Sequence, residues 1–230
     1  MKIALLNGSP KLKNSSSGIL LTDLKRCLSE LADTDHSATS ETYNVKPEIS
    51  EIALRHPSVS EEIAANLQTA DAWVISCPLY VDGIPGHLLS CLVSLEKYNR
   101  EKYNQESETS QQRKIHVYGI VNCGFYEGIQ AETALEILEN WCARTGFTWG
   151  GGIGVGGGGA LAMMSSPKPG SGPKAPIDRA LQAMADNIRR QEIQQNCYAS
   201  VAFPRFLYKM AAQMGWRQMF RANGGRAKDL

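Results

Sequence analysis

The sequence predicts an α/β fold in which a parallel sheet of five strands carries helices on both faces. Short apolar runs without polar alternation, such as residues 3–6 and 72–77, are typical of strands that are buried on both faces. Segments with apolar residues at helical spacing follow these runs along the chain, beginning with residues 19–31. Strands that alternate with helices in this way indicate parallel strands joined by crossover helices.

The first strand is followed by a loop at residues 7–18, where Gly, Pro and Ser interrupt the apolar pattern. The first helix is predicted to begin near Ser15–Ser17 and to end near Leu31. The second strand has two candidates, Thr42–Val45 and Ile49–Leu54, and the pattern leaves both open.

The rest of the chain repeats the alternation of apolar runs and amphipathic segments. Residues 100–113 are polar, and residues 160–176 are rich in Gly, Pro and Ser, so we expect connections there. The other predicted elements are a helix from Ser60, a strand at 72–77, a helix from Leu88 to Tyr98, a strand at 114–121, a helix at 131–144, a strand at 147–155 and a helix at 177–194.

The composition limits the class of protein. A net charge of +1 gives no basic field for nucleic acid and no acidic tail. The six cysteines are scattered without a C-x-x-C pair and the four histidines are isolated, so we expect free thiols and no metal site. The chain enters a strand at once, without an export signal or an apolar run of membrane-spanning length, which favours the cytoplasm.

The loop after the first strand is a candidate anion site. It holds four serines and two lysines directly before a helix, where backbone N–H groups favour negative charge. The P-loop pattern is absent, so a seat for magnesium and a triphosphate is missing. A loop rich in hydroxyls suits a single terminal phosphate such as that of FMN. The alternative is a serine-rich turn that only caps the helix.

Three loops are expected at the carboxyl edge of the sheet, where ligands bind in doubly wound folds. They are residues 7–17, 78–86 and 122–128. The second and third loops carry aromatic residues beside glycines. Together with the phosphate loop they indicate a slot for a flat ring joined to a phosphate.

These loops resemble those of the NAD(P)H-dependent FMN reductase branch of the flavodoxin-like superfamily. The resemblance covers about residues 1–160 and rests on Leu6–Lys11 with Ser15–Ser17, on Cys77–Tyr80 with Gly83–Gly86, and on Asn122–Glu127. It implies strand order 2-1-3-4-5, FMN as the cofactor and NAD(P)H as the co-substrate. The phosphate would be held by Ser9, Lys11, Ser15, Ser16 and Ser17. The ring would be lined on one side by Pro78, Leu79, Tyr80, Val81 and Gly83, and on the other by Asn122, Cys123, Gly124 and Phe125.

Several further features favour structural roles. The run Gly152–Gly157 matches G-x-G-x-x-G, but no helix is predicted directly after it, so close backbone packing is favoured over a second dinucleotide site. Cys77 and Cys123 are interpreted as packing residues, since no partner is placed to activate them. Glu127 is interpreted as a residue that orders its loop.

The tail separates from the flavodoxin-like domain, which we assign to residues 1–194. Residues 195–230 are predicted to form a helical extension. From Ala202 to Lys228 the tail has basic residues but no acidic one, and its apolar residues keep helical spacing. Packing in a homo-oligomer or against the domain is favoured for this helix, and contact with a membrane surface is the alternative.

The predicted function is an FMN-dependent oxidoreductase that takes hydride from NAD(P)H and reduces a small acceptor. An electron-carrier flavodoxin is the main alternative, although carriers typically have an acidic surface around the flavin. A binding protein on the same fold, without flavin, is a third possibility. The sequence leaves open whether the acceptor is a flavin, quinone, azo, nitro or chromate compound, and whether NADH or NADPH is used.

Overall fold

A computed structural model describes residues 1–34, 46–105, 114–163 and 170–226. A parallel six-stranded sheet forms its centre, in the order β2-β1-β3-β4-β5-β6. The first five strands have the predicted order, and β6 is an additional strand at the edge. The strands are β1 Lys2–Asn7, β2 Glu48–Ala53, β3 Ala72–Pro78, β4 His116–Asn122, β5 Thr148–Val155 and β6 Cys197–Ala199.

Helices cover both faces of the sheet, as expected for parallel strands joined by crossovers. The helices are α1 Ser16–Thr34, α2 Glu61–Leu67, α3 Gly86–Gln105, α4 Glu132–Thr145, α5 Ala175–Arg190 and α6 Arg205–Ala222. Side chains of α2, α3 and α4 form one apolar core with one face of the sheet. Side chains of α1 and α5 form the second core on the opposite face. No helix of the described residues is long and apolar enough to cross a membrane.

The second strand is the later of the two candidates. β2 pairs with β1 in register, with Ile49 opposite Ile3 and Ile52 opposite Leu6. The other candidate, Thr42–Val45, lies outside the described residues.

One helix is longer than predicted. α3 continues through Tyr98 to Gln105, so the first residues of the expected connection at 100–113 are helical. Glu96 stabilises this end of α3, because its carboxylate Oε1 accepts hydrogen bonds from Arg100 at 2.8 Å and from Arg144 of α4 at 2.9 Å. Polar residues with good helix propensity therefore extend the helix beyond its apolar stripe.

The sixth strand was not predicted because its signal is short. β6 has only three residues, and it pairs with β5 from Ile153 opposite Cys197 to Val155 opposite Ala199. Neither an apolar run nor a turn signal marks such a segment in the sequence. Its consequence is that part of the expected helical extension belongs to the sheet.

Candidate functional site

The carboxyl ends of β1, β3, β4 and β5 lie at one edge of the sheet. The chain leaves β1 toward β2 on one side, whereas β3 lies on the other side of β1, so the strand order reverses there. Backbone bonds join the start of each loop to a neighbouring strand end: the Gly8 amide donates to Ser76 O at 2.8 Å, and the Leu79 amide donates to Asn122 O at 2.8 Å. The three predicted loops therefore emerge side by side.

The first loop is ordered by short polar contacts. Asn7 Oδ1 accepts a hydrogen bond from the Ser9 amide at 3.0 Å, and Ser9 Oγ accepts one from the Lys11 amide at 3.3 Å. Ser15 caps α1, since its Oγ accepts a hydrogen bond from the Gly18 amide at 3.0 Å. Ser9 and Ser15 are buried, whereas Lys11 is exposed.

Two further serines connect this loop to the rest of the edge. Ser16 Oγ donates to Gly158 O at 2.7 Å, and Ser17 Oγ donates to Asn122 Oδ1 at 2.8 Å. Ser15 serves as the predicted cap, and the amides of Ser16 and Ser17 precede the first intrahelical donor, the Ile19 amide, which bonds to Ser15 O at 3.0 Å. The helix itself therefore supplies no acceptor for these two amides.

The second loop forms a tight turn at the rim. Tyr80 and Gly83 exchange two backbone hydrogen bonds, of 2.9 and 3.1 Å, around Val81 and Asp82. Both central residues have positive φ, 47° for Val81 and 61° for Asp82. A β-branched residue in this conformation is strained, and Val81 is fully exposed. Tyr80 is also half exposed, so the turn presents apolar surface at the edge.

The third loop, Cys123–Gly128, is packed against the C-terminal region, for which packing against the domain was expected without a particular contact. Tyr126 Oη donates to Phe203 O at 2.8 Å, and Tyr208 Oη donates to Gly124 O at 2.7 Å. Arg205 forms an ion pair with Glu127 at 2.6 Å. Glu127 therefore orders its loop through a partner in the tail.

The glycines of β5 permit the close approach of that loop. A Cβ atom at Gly154 would lie 2.4 Å from Gly128 O, and one at Gly156 would lie 2.1 Å from Tyr126 O. The segment that follows is a short 3-10 helix, Gly158–Met163, rather than an α-helix. The G-x-G-x-x-G pattern thus reflects backbone packing at this edge.

The two cysteines near the site are held as neutral thiols. Burial raises the pKa of Cys77 to about 12 from the ordinary value of 9.0. Burial also raises the pKa of Cys123, whose Sγ donates weakly to Glu127 O at 3.5 Å. A raised pKa opposes thiolate formation, so neither cysteine is an activated nucleophile.

A cavity of about 350 Å³ lies beside the first loop. Its lining includes Asn7, Lys13 and Ser15, together with the carboxylates of Asp23 and Glu51. Among the described residues that line it, none belongs to the loops after β3 and β4, so this cavity is not the predicted ring slot. Its two acids are paired with lysines, Asp23 with Lys174 and Glu51 with Lys25.

The residues at the edge fit FMN. The start of α1 offers amides and hydroxyls to a phosphate, and the adjacent loops after β3 and β4 expose Tyr80, Val81 and Phe125. Exposed apolar and aromatic side chains of this kind suit contact with a flat ring.

Comparisons with known proteins agree with this geometry. The family model described as NADPH-dependent FMN reductase matches residues 1–135. No curated protein matches the sequence.

Three solved structures show the same fold at low identity. A flavone reductase has a TM-score of 0.58 and 11% identity, with 85% of this chain and 66% of that chain covered, so this chain spans just under two thirds of its length. An oxidoreductase from Corynebacterium diphtheriae has a TM-score of 0.53 and 11% identity, with 83% and 96% covered. RosB, described with a bound 8-demethyl-8-formylriboflavin-5'-phosphate intermediate, has a TM-score of 0.52 and 11% identity, with 83% and 79% covered.

These structures support the fold alone, whereas the family model aligns with the part of the chain that carries all three loops. Because that model matches more than half of the chain, the protein belongs to the NADPH-dependent FMN reductase family of oxidoreductases, whose cofactor is FMN.

Proposed function

We propose that the protein takes hydride from NAD(P)H and passes the electrons to a small acceptor by way of FMN bound at the carboxyl edge of the sheet. FMN supplies the hydride and electron-transfer chemistry when it is bound. The protein binds the phosphate, orients the ring and leaves one side of the site open, and no acid–base pair of the chain is required.

The phosphate is assigned to the first loop and the start of α1. Two lines of support are the amides of the first helical turn and the hydroxyls of Ser9 and Ser15, whose Oγ atoms accept hydrogen bonds from backbone amides and can still donate to a phosphate. The exposed Lys11 adds positive charge at the loop surface. The proposed phosphate residues are Ser9, Lys11, Ser15, Ser16 and Ser17.

The ring is assigned to the loops after β3 and β4. Their first residues are joined by the bond from the Leu79 amide to Asn122 O, so both loops border one space at the edge. The proposed ring residues are Pro78, Leu79, Tyr80, Val81 and Gly83 on one side, and Asn122, Cys123, Gly124 and Phe125 on the other.

The exposed rim is the observation that carries the reductase assignment. Val81 is fully exposed, and Tyr80 and Phe125 are 48% and 56% exposed, so the two adjacent loops bring three exposed apolar side chains to one edge of the sheet. Hydride transfer requires the nicotinamide to come into near contact with the flavin, and an open apolar rim permits this stacking. A small planar acceptor can use the same surface after the nucleotide leaves.

Anaerobic titration with NADH and NADPH tests the reductase assignment. Either nucleotide should bleach the visible absorption of the FMN-loaded protein, and air or a quinone should restore it. Bleaching by dithionite but by neither nucleotide would contradict the proposal and favour an electron carrier.

A binding comparison tests the phosphate assignment separately. FMN should bind more tightly than riboflavin, which has the same ring but lacks the phosphate. Equal affinity for the two flavins would show that the first loop does not hold a phosphate.

A further inference from the structure

The segment that follows β6, including the first turn of α6, lies against the third loop. We define this segment, residues 200–208, as the C-terminal strap. Ser200 Oγ accepts a hydrogen bond from the Gly128 amide at 3.1 Å, and the carbonyl of Phe203 accepts one from Tyr126 Oη. The rings of Tyr126 and Tyr208 meet edge to face with their centroids 5.5 Å apart. The strap therefore contacts the loop at several points along its length.

The strap is itself anchored in the body of the protein. Val201 is 1% exposed and belongs to the apolar core of α1 and α5, against which Phe203 and Tyr208 also pack. The amide of Ala202 donates to Pro173 O at 2.7 Å, just before α5. The strap is thus fixed to the body of the protein by buried and hydrogen-bonded residues, and the third loop is attached to the strap.

Three consecutive carbonyl groups of the loop accept hydrogen bonds, two from the segment after β5 and one from the strap. The carbonyl of Cys123 accepts a hydrogen bond from the Gly158 amide at 2.8 Å, and the carbonyl of Phe125 accepts one from the Gly157 amide at 2.6 Å. Between them, the carbonyl of Gly124 accepts a hydrogen bond from Tyr208 Oη at 2.7 Å.

This arrangement determines the direction of the loop amides. In a planar trans peptide the N–H points opposite to the C=O of the preceding residue. With the carbonyls of Cys123, Gly124 and Phe125 turned toward the body, the amides of the residues that follow each of them turn away from it. Such a row of N–H groups can stabilise negative charge on a bound ring.

We propose that Tyr208 and Arg205 are positioning residues for the flavin, because they hold the third loop with its amides turned toward the ring. This inference rests on the proposed function, which assigns the ring to that loop. Tyr208 orients the Gly124–Phe125 peptide, and Arg205 holds the end of the loop through its ion pair with Glu127.

Because residue 124 is a glycine, the hydrogen bond from Tyr208 matters for the orientation of the Gly124–Phe125 peptide. A Cβ atom at Gly124 would meet nothing within 4 Å, so the space beside this residue is open. Glycine also has the widest range of backbone conformations. Burial raises the pKa of Tyr208, which keeps its hydroxyl protonated as a donor at neutral pH. The hydroxyl is therefore the contact that selects one peptide orientation.

The substitution Tyr208→Phe tests this role, since it removes one hydroxyl and keeps the ring that packs against Tyr126. We expect FMN to bind about 2- to 10-fold more weakly, as for the loss of one hydrogen bond. We also expect a lower midpoint potential of the bound FMN, because an oriented amide favours the more electron-rich reduced ring. In the flavin-free protein, hydrogen exchange of the Gly157 and Gly158 amides, which donate to the carbonyls of Phe125 and Cys123, should be faster because the loop is held less firmly.

Tyr198→Phe is the matched control. Tyr198 Oη donates to Glu132 Oε1 at 3.4 Å, at the start of α4 rather than to the third loop, so this variant should keep the parental affinity, potential and exchange. Arg205→Gln is a second test variant and should speed exchange near Glu127 while the thermal unfolding of the body is retained.

Parental FMN affinity, potential and exchange in both Tyr208→Phe and Arg205→Gln would overturn the inference. Failure of the parent protein to bind FMN would instead overturn the proposed function. In that case the exchange measurement still decides whether the strap holds the loop.

Discussion

Individual hydroxyl groups at the site have distinct tasks, although the sequence presents them as one serine-rich run. Ser15 caps α1, Ser16 reaches the carbonyl of Gly158, and Ser17 reaches the side chain of Asn122. These bonds connect the ends of β1, β4 and β5 before any ligand binds. A preorganised edge of this kind lowers the cost of ordering the loops around a phosphate.

Ser16 offers a test at the residue scale. Ser16→Asp should weaken FMN binding strongly, because it places a carboxylate against the phosphate and against the carbonyl of Gly158. Ser16→Ala removes one hydroxyl and should cost about 0.5–1.5 kcal/mol of binding free energy, measured by flavin fluorescence titration.

The same substitutions at Ser29 are the control for Ser16. Ser29 lies on the same helix, and its hydroxyl bonds to Lys25 O, far along α1 from the loop. Both Ser29 variants should bind FMN as the parent does. If both Ser16 variants also bind as the parent does, the phosphate lies elsewhere.

At the scale of elements, β5 and the third loop approach each other more closely than side chains would allow. Gly154 and Gly156 come within contact of the backbone of Tyr126 and Gly128. On the far side of β5, strand β6 continues into the strap, which packs against the same loop. A glycine-rich strand is intrinsically weak, so its role here is to let three backbone segments share one narrow space.

The variant Gly156→Ala tests this close approach. Its Cβ atom would meet Tyr126 O at 2.1 Å and Gly128 N at 2.7 Å, and backbone atoms cannot move aside cheaply. We expect a loss of about 1–3 kcal/mol in the free energy of unfolding, measured by chemical denaturation.

Gly159→Ala is the matched control for Gly156, since a Cβ atom there would meet nothing within 4 Å. Its free energy of unfolding should stay within about 0.5 kcal/mol of the parental value. Equal stability of the two variants would contradict the packing role of Gly156.

At the scale of the whole molecule, α6 has several apolar side chains that are exposed to solvent. Phe206, Met210 and Met214 follow one another at helical spacing and are 68%, 51% and 65% exposed. Only the first turn of α6 contributes to the strap. An exposed apolar row on a helix of this length indicates a contact with another surface.

We propose that a second copy of the chain covers this row in a homo-oligomer. The triple variant Phe206→Gln, Met210→Gln, Met214→Gln should have a lower mass by light scattering than the parent. Phe206 lies within the strap, but its side chain is 68% exposed, and Arg205 and Tyr208 are unchanged in this variant, so FMN binding should be retained.

The paired variant Arg217→Gln, Arg221→Gln is the control, because it removes charge from α6 and keeps the apolar row. Its mass should equal that of the parent. A monomeric parent protein that binds anionic vesicles, and loses this binding in the paired variant, would contradict the oligomer and favour a membrane contact.

The sequence by itself was sufficient for the parallel sheet and for the three loops that meet at one edge, and the family resemblance added the order of the first five strands. The reason is that buried strands, amphipathic helices and loop-forming residues such as Gly8 and Pro78 leave local patterns, and parallel connectivity follows from those patterns. The family resemblance came from the same loops, whose residues are contiguous in the chain.

Only the tertiary structure revealed β6, the strap and the pairing of Glu127 with Arg205. These features join residues that are distant in the chain, and a three-residue strand or a single tyrosine hydroxyl leaves no periodic signal. The extension of α3 to Gln105 was missed for another reason, since residues 100–105 are polar and continue the helix without its apolar stripe; of the two bonds to Glu96, only the one from Arg144 depends on how α3 and α4 pack. Local chemistry therefore determined which loops form the site, whereas long-range packing determined what holds the third loop in place.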